Sequence, residues 1–247
     1  MISCRNLTKH FDEFAAVEGV SFDVPAGTIF AFLGPNGAGK STVVKMLTGL
    51  LKPSAGEASV AGFDVRKREL EFRRAIGVLP ENLGLFDALT VEEHLLLSGP
   101  IYGLSKAETR SRAGQLLRAL QLDDGRNTFA NQCSYGMRKK TALAMALLHN
   151  PRVLFLDEPF EGIDPVMSKT LRDLLAALAQ RGVAIFLTSH ILSIVERLAT
   201  RIAVIQHGKI VWNSLASELP QSLEEHYLGL VQVPIIEELP WLGLPPS

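Results

Sequence analysis

Glycines, a lysine and a hydroxyl residue occur near the start of the chain at a spacing suited to binding phosphate. The segment Gly34 to Ser41 reads GPNGAGKS and matches the pattern GxxxxGK[ST]. Small residues in such a loop let successive backbone N–H groups point at phosphate oxygens. A helix that begins directly after the loop adds the positive end of its dipole. We therefore predict a phosphate cradle, against the alternative of a glycine-rich turn with an incidental lysine.

The residues on either side of the cradle predict the strand and helix that it needs. Thr28 to Leu33 is a short apolar run rich in β-formers, which is typical of a buried strand. After Ser41, apolar residues follow at helical spacing as far as Leu51, and Pro53 and Gly56 end the pattern. In this context we expect a bound nucleotide.

Three side chains of the cradle have separate expected roles. Lys40 reaches the β- and γ-phosphates, and the Ser41 hydroxyl ligates Mg²⁺. Thr42 lies beside them, near the α- and β-phosphates.

Two carboxylates follow a second apolar run, Val153 to Leu156, where this predicted strand leaves the core. We expect Asp157 to hold Mg²⁺, directly or through water, and Glu158 to polarise the water that attacks the γ-phosphorus. A solvated acidic loop is the alternative, because exposed carboxylates are common. The cradle favours the catalytic interpretation.

A polar segment, Thr188 to His190, follows the third apolar run, Val183 to Thr188. Ligands of open α/β sheets bind at the carboxyl edge of the strands, so His190 is expected beside the phosphates. There it can hydrogen-bond the γ-phosphate or the attacking water. The alternative is a surface histidine or a neighbour of a helix cap.

Composition limits the class of protein. The chain has 247 residues, a net charge of −1 and a pI of about 6.6, so no basic field points to nucleic acid. Cys4 and Cys133 form no metal-ligand or CxxC pattern, which favours free thiols in the cytosol. No apolar stretch approaches the roughly 18 residues that cross a bilayer, so we expect membrane association through a partner.

The remaining patterns predict how the chain is organised. Asp164-Pro165 is typical of a helix start, and this helix is expected to end near Gly182. Strands therefore alternate with helices, which favours a mostly parallel sheet. Thr90-x-x-Glu93 and Ser105-x-x-Glu108 resemble capping boxes in a helical insertion. Two strands are expected in Arg201 to Trp212, joined at His207-Gly208, and the chain after Ser214 gives no clear signal.

From about Ile2 to Trp212 the sequence resembles the ATP-binding cassette (ABC) family. Cys133 to Met137 resembles the signature loop, usually LSGGQ, at the head of a helix expected to run to Asn150. Glu161 to Asp164 is similar to the D-loop, and His190 to the switch histidine. Phe11 lies where the family stacks an aromatic on adenine, although a lone phenylalanine is equally a core residue.

The resemblance implies an α/β fold with a P-loop NTPase core of mostly parallel sheet, an antiparallel β subdomain and an inserted helical subdomain. We place the core in residues 1–81 and 151–215, the helical signature subdomain in 82–150 and a C-terminal extension in 216–247. The nucleotide-binding set implied in this way is Phe11, Gly34, Pro35, Asn36, Gly37, Ala38, Gly39, Lys40, Ser41, Thr42, Glu81, Ser134, Gly136 and Asp164.

The resemblance also implies partners. In this family the signature loop of one subunit faces the cradle of another, so a single copy of each motif implies a second ATPase subunit, most simply a homodimer. Ser134 and Gly136 would contact the γ-phosphate held by the partner chain. Family members meet multi-span membrane permease subunits near the helical insertion, which makes Asn82 to Tyr102 the candidate docking surface. Ordinary packing of a helical subdomain is the alternative for this segment.

Three departures from the family pattern bear on the chemistry of the site. Glu81 stands where the family usually has glutamine; its carboxylate can ligate Mg²⁺ but adds negative charge near the γ-phosphate. Tyr135 replaces a glycine and Met137 a glutamine of the signature loop. If residue 135 requires a positive φ, tyrosine costs ~1–2 kcal/mol there. Export-type members often deviate in this way, so the resemblance leans towards exporters.

We expect an ATPase that drives transport through separate membrane subunits. The alternative is a nucleotide-dependent regulatory or assembly module that hydrolyses poorly, which the altered signature loop favours. The intact set of Lys40, Asp157, Glu158 and His190 favours the transport ATPase, because a pure sensor needs no water-polarising carboxylate. Soluble ABC proteins of translation or DNA repair commonly carry two cassettes or long coiled coils, and neither is visible in this sequence.

Overall fold

The computed structural model describes residues 1–67, 70–220 and 222–231. Within these ranges the chain forms two β-sheets and a set of helices. The strands are β1 Ile2–Phe11, β2 Phe14–Val24, β3 Ile29–Leu33, β4 Ala55–Val60, β5 Phe63–Asp64, β6 Ile76–Leu79, β7 Val153–Leu156, β8 Ala184–Thr188, β9 Arg201–Gln206 and β10 Lys209–Leu215. The helices are α1 Lys40–Leu47, α2 Leu70–Ala75, α3 Val91–Ile101, α4 Lys106–Ala119, α5 Tyr135–Leu147, α6 Pro165–Gln180, α7 Leu192–Leu198 and α8 Leu223–Leu230.

The larger sheet carries the predicted parallel core. Its strand order in the described chain is β10-β9-β3-β8-β7-β6, and all neighbours pair in parallel except β10 with β9. Every residue of β3, β7 and β8 is buried, as expected for strands covered on both faces. The carboxyl ends of these three strands therefore lie side by side at one edge.

The smaller sheet is antiparallel, with the order β2-β1-β4-β5. It packs against one face of the larger sheet through aromatic rings. The rings of Phe22 and Phe30 stack with centroids 5.0 Å apart, and Phe186 lies 5.4 Å from Phe30. Burial of such large apolar side chains is the main force that joins the two sheets.

Helix ends follow their local sequence. Thr90 and Ser105 form the two predicted capping boxes, at the starts of α3 and α4. Asp164 caps α6 by accepting hydrogen bonds from the N–H groups of Val166 and Met167, with Pro165 in the first turn, as predicted. The strands β9 and β10 and their turn were predicted as well, although β10 runs beyond Trp212 to Leu215.

Three sequence expectations need correction. The helix α1 ends at Leu47, before Leu50 and Leu51, because Gly49 has a positive φ of 72°. The helix α5 ends at Leu147 and not at Asn150, because Asn150 has a positive φ of 59° that no α-helix accommodates. The segment after Ser214, which gave no signal, contains α8. This short helix is held by burial of Leu223, a tertiary contact that the local pattern does not reveal. The rest of the proposed extension, 232–247, lies outside the described residues.

The helices α3, α4 and α5 follow β6 and precede β7, and the domain limits stated above remain a prediction. Across residues 1–67, 70–220 and 222–231, none of the helices combines the length and apolar character needed to span a bilayer.

Candidate functional site

The cradle loop joins β3 to α1 at the edge of the parallel sheet. Gly39, the residue that precedes α1, has a φ of 107°, a conformation that side chains with a Cβ rarely adopt. A Cβ added there would also lie 2.6 Å from the carbonyl oxygen of Ala16. The backbone can therefore make this turn only with glycine at position 39.

Lys40 folds back over the same loop. Its Nζ donates hydrogen bonds to the carbonyl oxygens of Gly34 at 2.7 Å and Pro35 at 3.1 Å. Burial lowers the pKa of Lys40 below its ordinary value, and the carboxylates of Glu158, Asp157 and Glu81 oppose this shift. The lysine is thus a cation held among carboxylates, at the point where phosphates need a positive charge.

A cleft of about 470 Å³ opens above the cradle. A volume of this size lies in the ordinary range of small-ligand sites. The residues that line it come from the β1–β2 hairpin, the cradle with the start of α1, the end of β6 and the end of β7. They are Phe11, Phe14, Ala16, Asn36, Gly37, Gly39, Lys40, Ser41, Thr42, Glu81, Asp157 and Glu158.

Asp157 is buried at the carboxyl end of β7. The hydroxyl of Thr188, at the end of the adjacent strand β8, donates a hydrogen bond of 2.5 Å to Asp157 Oδ1. A buried carboxylate needs such a partner, and this one also fixes the orientation of the group.

Glu158 has a positive φ of 47°, which is uncommon for a residue with a side chain. Its N–H donates to Thr188 Oγ1 at 3.1 Å, and its Oε2 accepts from the backbone N–H of His190 at 3.2 Å. The Nδ1 atom of His190 lies 2.9 Å from the same oxygen. Burial raises the pKa of Glu158 above its ordinary value, while His190 works in the opposite direction. A carboxylate with these surroundings can act as a base towards a water molecule.

The hairpin between β1 and β2 closes one end of the cleft with two aromatic side chains. Phe11 is 46% exposed and its neighbour across the turn, Phe14, is 66% exposed. Phe11 is therefore not a core residue. Exposed rings at the mouth of a polar cleft can stack on a flat, conjugated ligand.

The structure brings most of the predicted site residues together, but not all of them. Gly34, Pro35 and Ala38 belong to the cradle loop, and His190 joins the site through Glu158. Ser134, Gly136 and Asp164 do not line the cleft. Ser134 and Asp164 are the N-cap residues of α5 and α6.

Tyr135 is the first residue of α5 and does not have a positive φ. The backbone cost considered for a tyrosine at this position of the signature loop therefore does not arise.

Sequence reasoning missed the roles of three residues of this region. Phe14 follows Phe11 after a two-residue turn, so a paired exposed aromatic was a usable signal. Thr188, the last residue of β8, was a candidate by its position alone. Lys139 donates to the carbonyl oxygen of Glu158 from α5, and no local pattern indicates that contact.

Residues 17–161 match the ABC transporter family. The chain belongs to this family. Among curated relatives, it is 38% identical over 229 residues to the daunorubicin/doxorubicin resistance ATP-binding protein DrrA of Streptomyces peucetius, covering 93% of the chain and 69% of that protein. It is also 38% identical to the Nod factor export ATP-binding protein I of Burkholderia thailandensis, over 92% of the chain and 74% of the relative.

Solved structures of ABC cassettes share the fold. An ATP-binding subunit of an ABC transporter superposes with a TM-score of 0.87 at 32% identity, covering 93% of this chain and 99% of that one. A dimeric cassette in a post-hydrolysis state with ADP and Pi gives a TM-score of 0.81 at 26% identity, over 87% and 99% of the two chains. This ABC cassette is thus an ATP-hydrolysing subunit of a transporter. The regulatory alternative is not favoured.

Proposed function

We propose that this cassette binds Mg-ATP in the cleft above Gly34 to Ser41 and hydrolyses it at an interface with a second cassette. The observation that carries the proposal is the cleft itself. It combines a cradle, a half-buried lysine and the carboxylates of Glu81, Asp157 and Glu158 at the carboxyl edge of one parallel sheet.

Each part of the cleft has a proposed role towards ATP. The loop from Gly34 to Gly39 surrounds the β-phosphate with backbone N–H groups. Lys40 exchanges its carbonyl partners for β- and γ-phosphate oxygens, and Thr42 contacts the α- and β-phosphates. Phe11 stacks on adenine, and Phe14 lies beside it at the mouth of the cleft.

The donor chemistry of the cleft suits Mg²⁺. Ser41, Glu81 and Asp157 offer hard oxygen ligands, and all three line the same cavity. Mg²⁺ in phosphate-binding sites is usually held by one or two protein oxygens together with phosphate oxygens and water, and this donor set fits that pattern. When bound there, Mg²⁺ neutralises charge on the β- and γ-phosphates.

For hydrolysis we propose that Glu158 orients and polarises the attacking water. The raised pKa that burial gives this carboxylate makes it a better base. His190 holds the carboxylate by two contacts, and its proposed role is to hydrogen-bond the γ-phosphate. Glu158→Gln is expected to keep ATP binding and to reduce phosphate release to a small residual rate. Sedimentation with saturating Mg-ATP should then show a trapped dimer, and parental turnover would refute the role of Glu158.

The second half of each site is proposed to come from the partner chain. Ser134 and Gly136 lie at the N-terminus of the 13-residue helix α5, a place suited to an anion. Ser134 Oγ accepts a hydrogen bond from the N–H of Met137, which leaves its hydroxyl proton available for a phosphate oxygen. Asp164 would lie at the same interface. The dimeric relative with ADP and Pi supports this arrangement.

Mixing two inactive variants tests the shared site. Lys40→Ala disables a cradle, and Gly136→Asp puts a carboxylate in the partner's phosphate position. A Cβ at Gly136 meets only atoms 4.0 Å away, so this variant is expected to fold.

Each variant alone should be inactive, because both of its sites are defective. A mixed dimer has one site with both changes and one intact site, so about a quarter of the parental rate per chain should return on mixing if the sites act independently. No recovery, in a mixture shown to contain mixed dimers, would refute the shared site.

We further propose that this cassette drives export and lies in the cytoplasm at the inner face of the membrane, attached through permease subunits. The relatives named for drug resistance and Nod factor export support the direction. The proposed docking surface is Asn82 to Tyr102. Its end borders an apolar groove of about 340 Å³, where Leu50 and Ile101 are exposed.

Docking can be separated from catalysis with Ile101→Glu. In cells that also produce the permease subunits, this variant should no longer be recovered with the membrane fraction. The purified variant should keep the parental ATPase rate. Unchanged recovery with the membranes would refute this docking surface.

A further inference from the structure

Lys139 is a buried cation in the first two turns of α5. Lys139 is only 4% exposed, and its Nζ donates to the carbonyl oxygens of Glu158 at 2.5 Å and Glu161 at 2.6 Å. The ammonium therefore reaches from the helix that carries the signature loop to the turn that follows β7.

This turn has a backbone that needs support. Glu158 has a φ of 47° and Gly162 a φ of 69°, so the chain takes the left-handed conformation twice within five residues. Such a conformation in a residue with a Cβ persists where surrounding contacts hold it. Thr188 holds the N–H of Glu158 and Lys139 holds its carbonyl oxygen. Of these two, Lys139 alone comes from the helical segment between β6 and β7.

The positive charge of Lys139 also matters, because three carboxylates lie near it. Burial lowers the pKa of Lys139, and the nearby carboxylates of Glu161, Glu158 and Asp157 oppose that shift. A cation in this position offsets part of the negative charge that collects behind the cleft.

Tyr135 connects this lysine to the tip of the signature loop. The Lys139 Nζ lies 5.3 Å from the centroid of the Tyr135 ring, within the range of a cation–π contact. The same ring lies against Gly162, where an added Cβ would be 2.6 Å from Cδ1 and Cε1. The tyrosine that replaces the usual glycine thus packs against its own D-loop.

We propose that Lys139 is a positioning residue that fixes the backbone of Glu158 from the signature helix α5 of the same chain, with Tyr135 as its link to the signature loop. In this way the element that faces the partner's nucleotide also sets the geometry of the chain's own water-polarising carboxylate. The inference rests on the role proposed for Glu158. Lys139 does not contact ATP, so it acts on the rate of hydrolysis and not on binding.

The test uses the purified cassette with Mg-ATP. Lys139→Met keeps the apolar stem of the side chain and removes the ammonium. We expect kcat to fall about 10-fold or more, as for other small misplacements of reacting groups, with the Kd for ATP within about 2-fold of the parental value. Lys169→Met makes the same chemical change at an exposed position of α6 and should leave both constants unchanged.

A double variant shows whether Lys139 acts through Glu158. In a Glu158→Gln background, Lys139→Met should lower the residual rate by less than about 2-fold, because two changes to one unit are not additive. Calorimetric Tm values establish that each variant is folded. If Lys139→Met does not fold, Lys139→Gln replaces it in the test. The glutamine side chain keeps N–H donors but is too short to reach both carbonyl oxygens, so it should show the same loss of kcat at unchanged Kd.

Parental kcat in folded Lys139→Met, or an equal loss of ATP affinity, would overturn the inference and leave the role of Glu158 intact. Parental kcat in Glu158→Gln would instead refute the proposed role of the carboxylate itself.

Discussion

His190 and Glu158 are joined by two contacts to one oxygen atom. The backbone N–H of His190 donates to Glu158 Oε2 at 3.2 Å, and the ring Nδ1 lies 2.9 Å from it. An ionised carboxylate only accepts hydrogen bonds, so Nδ1–H is the donor in this pair. Within the described chain, Nε2 is then the ring nitrogen left for a phosphate or a water molecule.

This arrangement predicts a defect in catalysis when the ring is removed. His190→Ala leaves the backbone contact but frees the carboxylate to turn, so kcat should fall at least about 10-fold while ATP affinity changes less than about 3-fold. Steady-state phosphate release and calorimetric titration measure the two quantities. His190→Gln, whose amide can still donate to Glu158, should retain more activity than the alanine variant. A parallel loss of affinity and rate would contradict the assignment.

Lys40→Ala should differ from His190→Ala, because its main effect should be on ATP affinity. The β- and γ-phosphates lose their cation, so the Kd for ATP should rise at least about 10-fold by calorimetry. Lys45→Ala removes a lysine from the exposed face of the same helix and is the matched control. Unchanged affinity in Lys40→Ala would contradict the proposed cradle.

Residues with local signals were predicted well. The limits of β7 were predicted without error, because a run of four buried apolar residues ends at Asp157. The cap at Asp164 followed from side-chain chemistry alone.

Features set by tertiary packing were not predictable in this way. Lys139 meets a turn that lies 19 to 22 residues further along the chain, and only the packing of α5 on the core brings them together.

Glu81→Gln restores the residue that the family usually carries beside the γ-phosphate. Glu81 lines the cleft and lies close enough to raise the pKa of Lys40 against the effect of burial. Removing its charge should weaken repulsion of the phosphate and raise kcat about 3-fold or more, with a smaller change in ATP affinity. Glu196→Gln, at an exposed site on α7, controls for net charge. Equal effects on kcat and on ATP affinity would refute the proposed position of Glu81 beside the γ-phosphate.

Cys4 provides a test of the core that does not involve ATP. Burial raises the pKa of its thiol to about 12, from 9.0 for an ordinary cysteine. The folded chain therefore keeps a proton that the unfolded chain releases above pH 9, so the free energy of unfolding must fall as pH rises through this range. The slope due to Cys4 is about 1.4 kcal/mol per pH unit. In Cys4→Ala this part of the slope should vanish, although the small cavity lowers stability at neutral pH. Denaturant unfolding of both proteins between pH 8 and about pH 11 measures the difference, and parallel curves would show that the thiol titrates alike in the folded and unfolded chain.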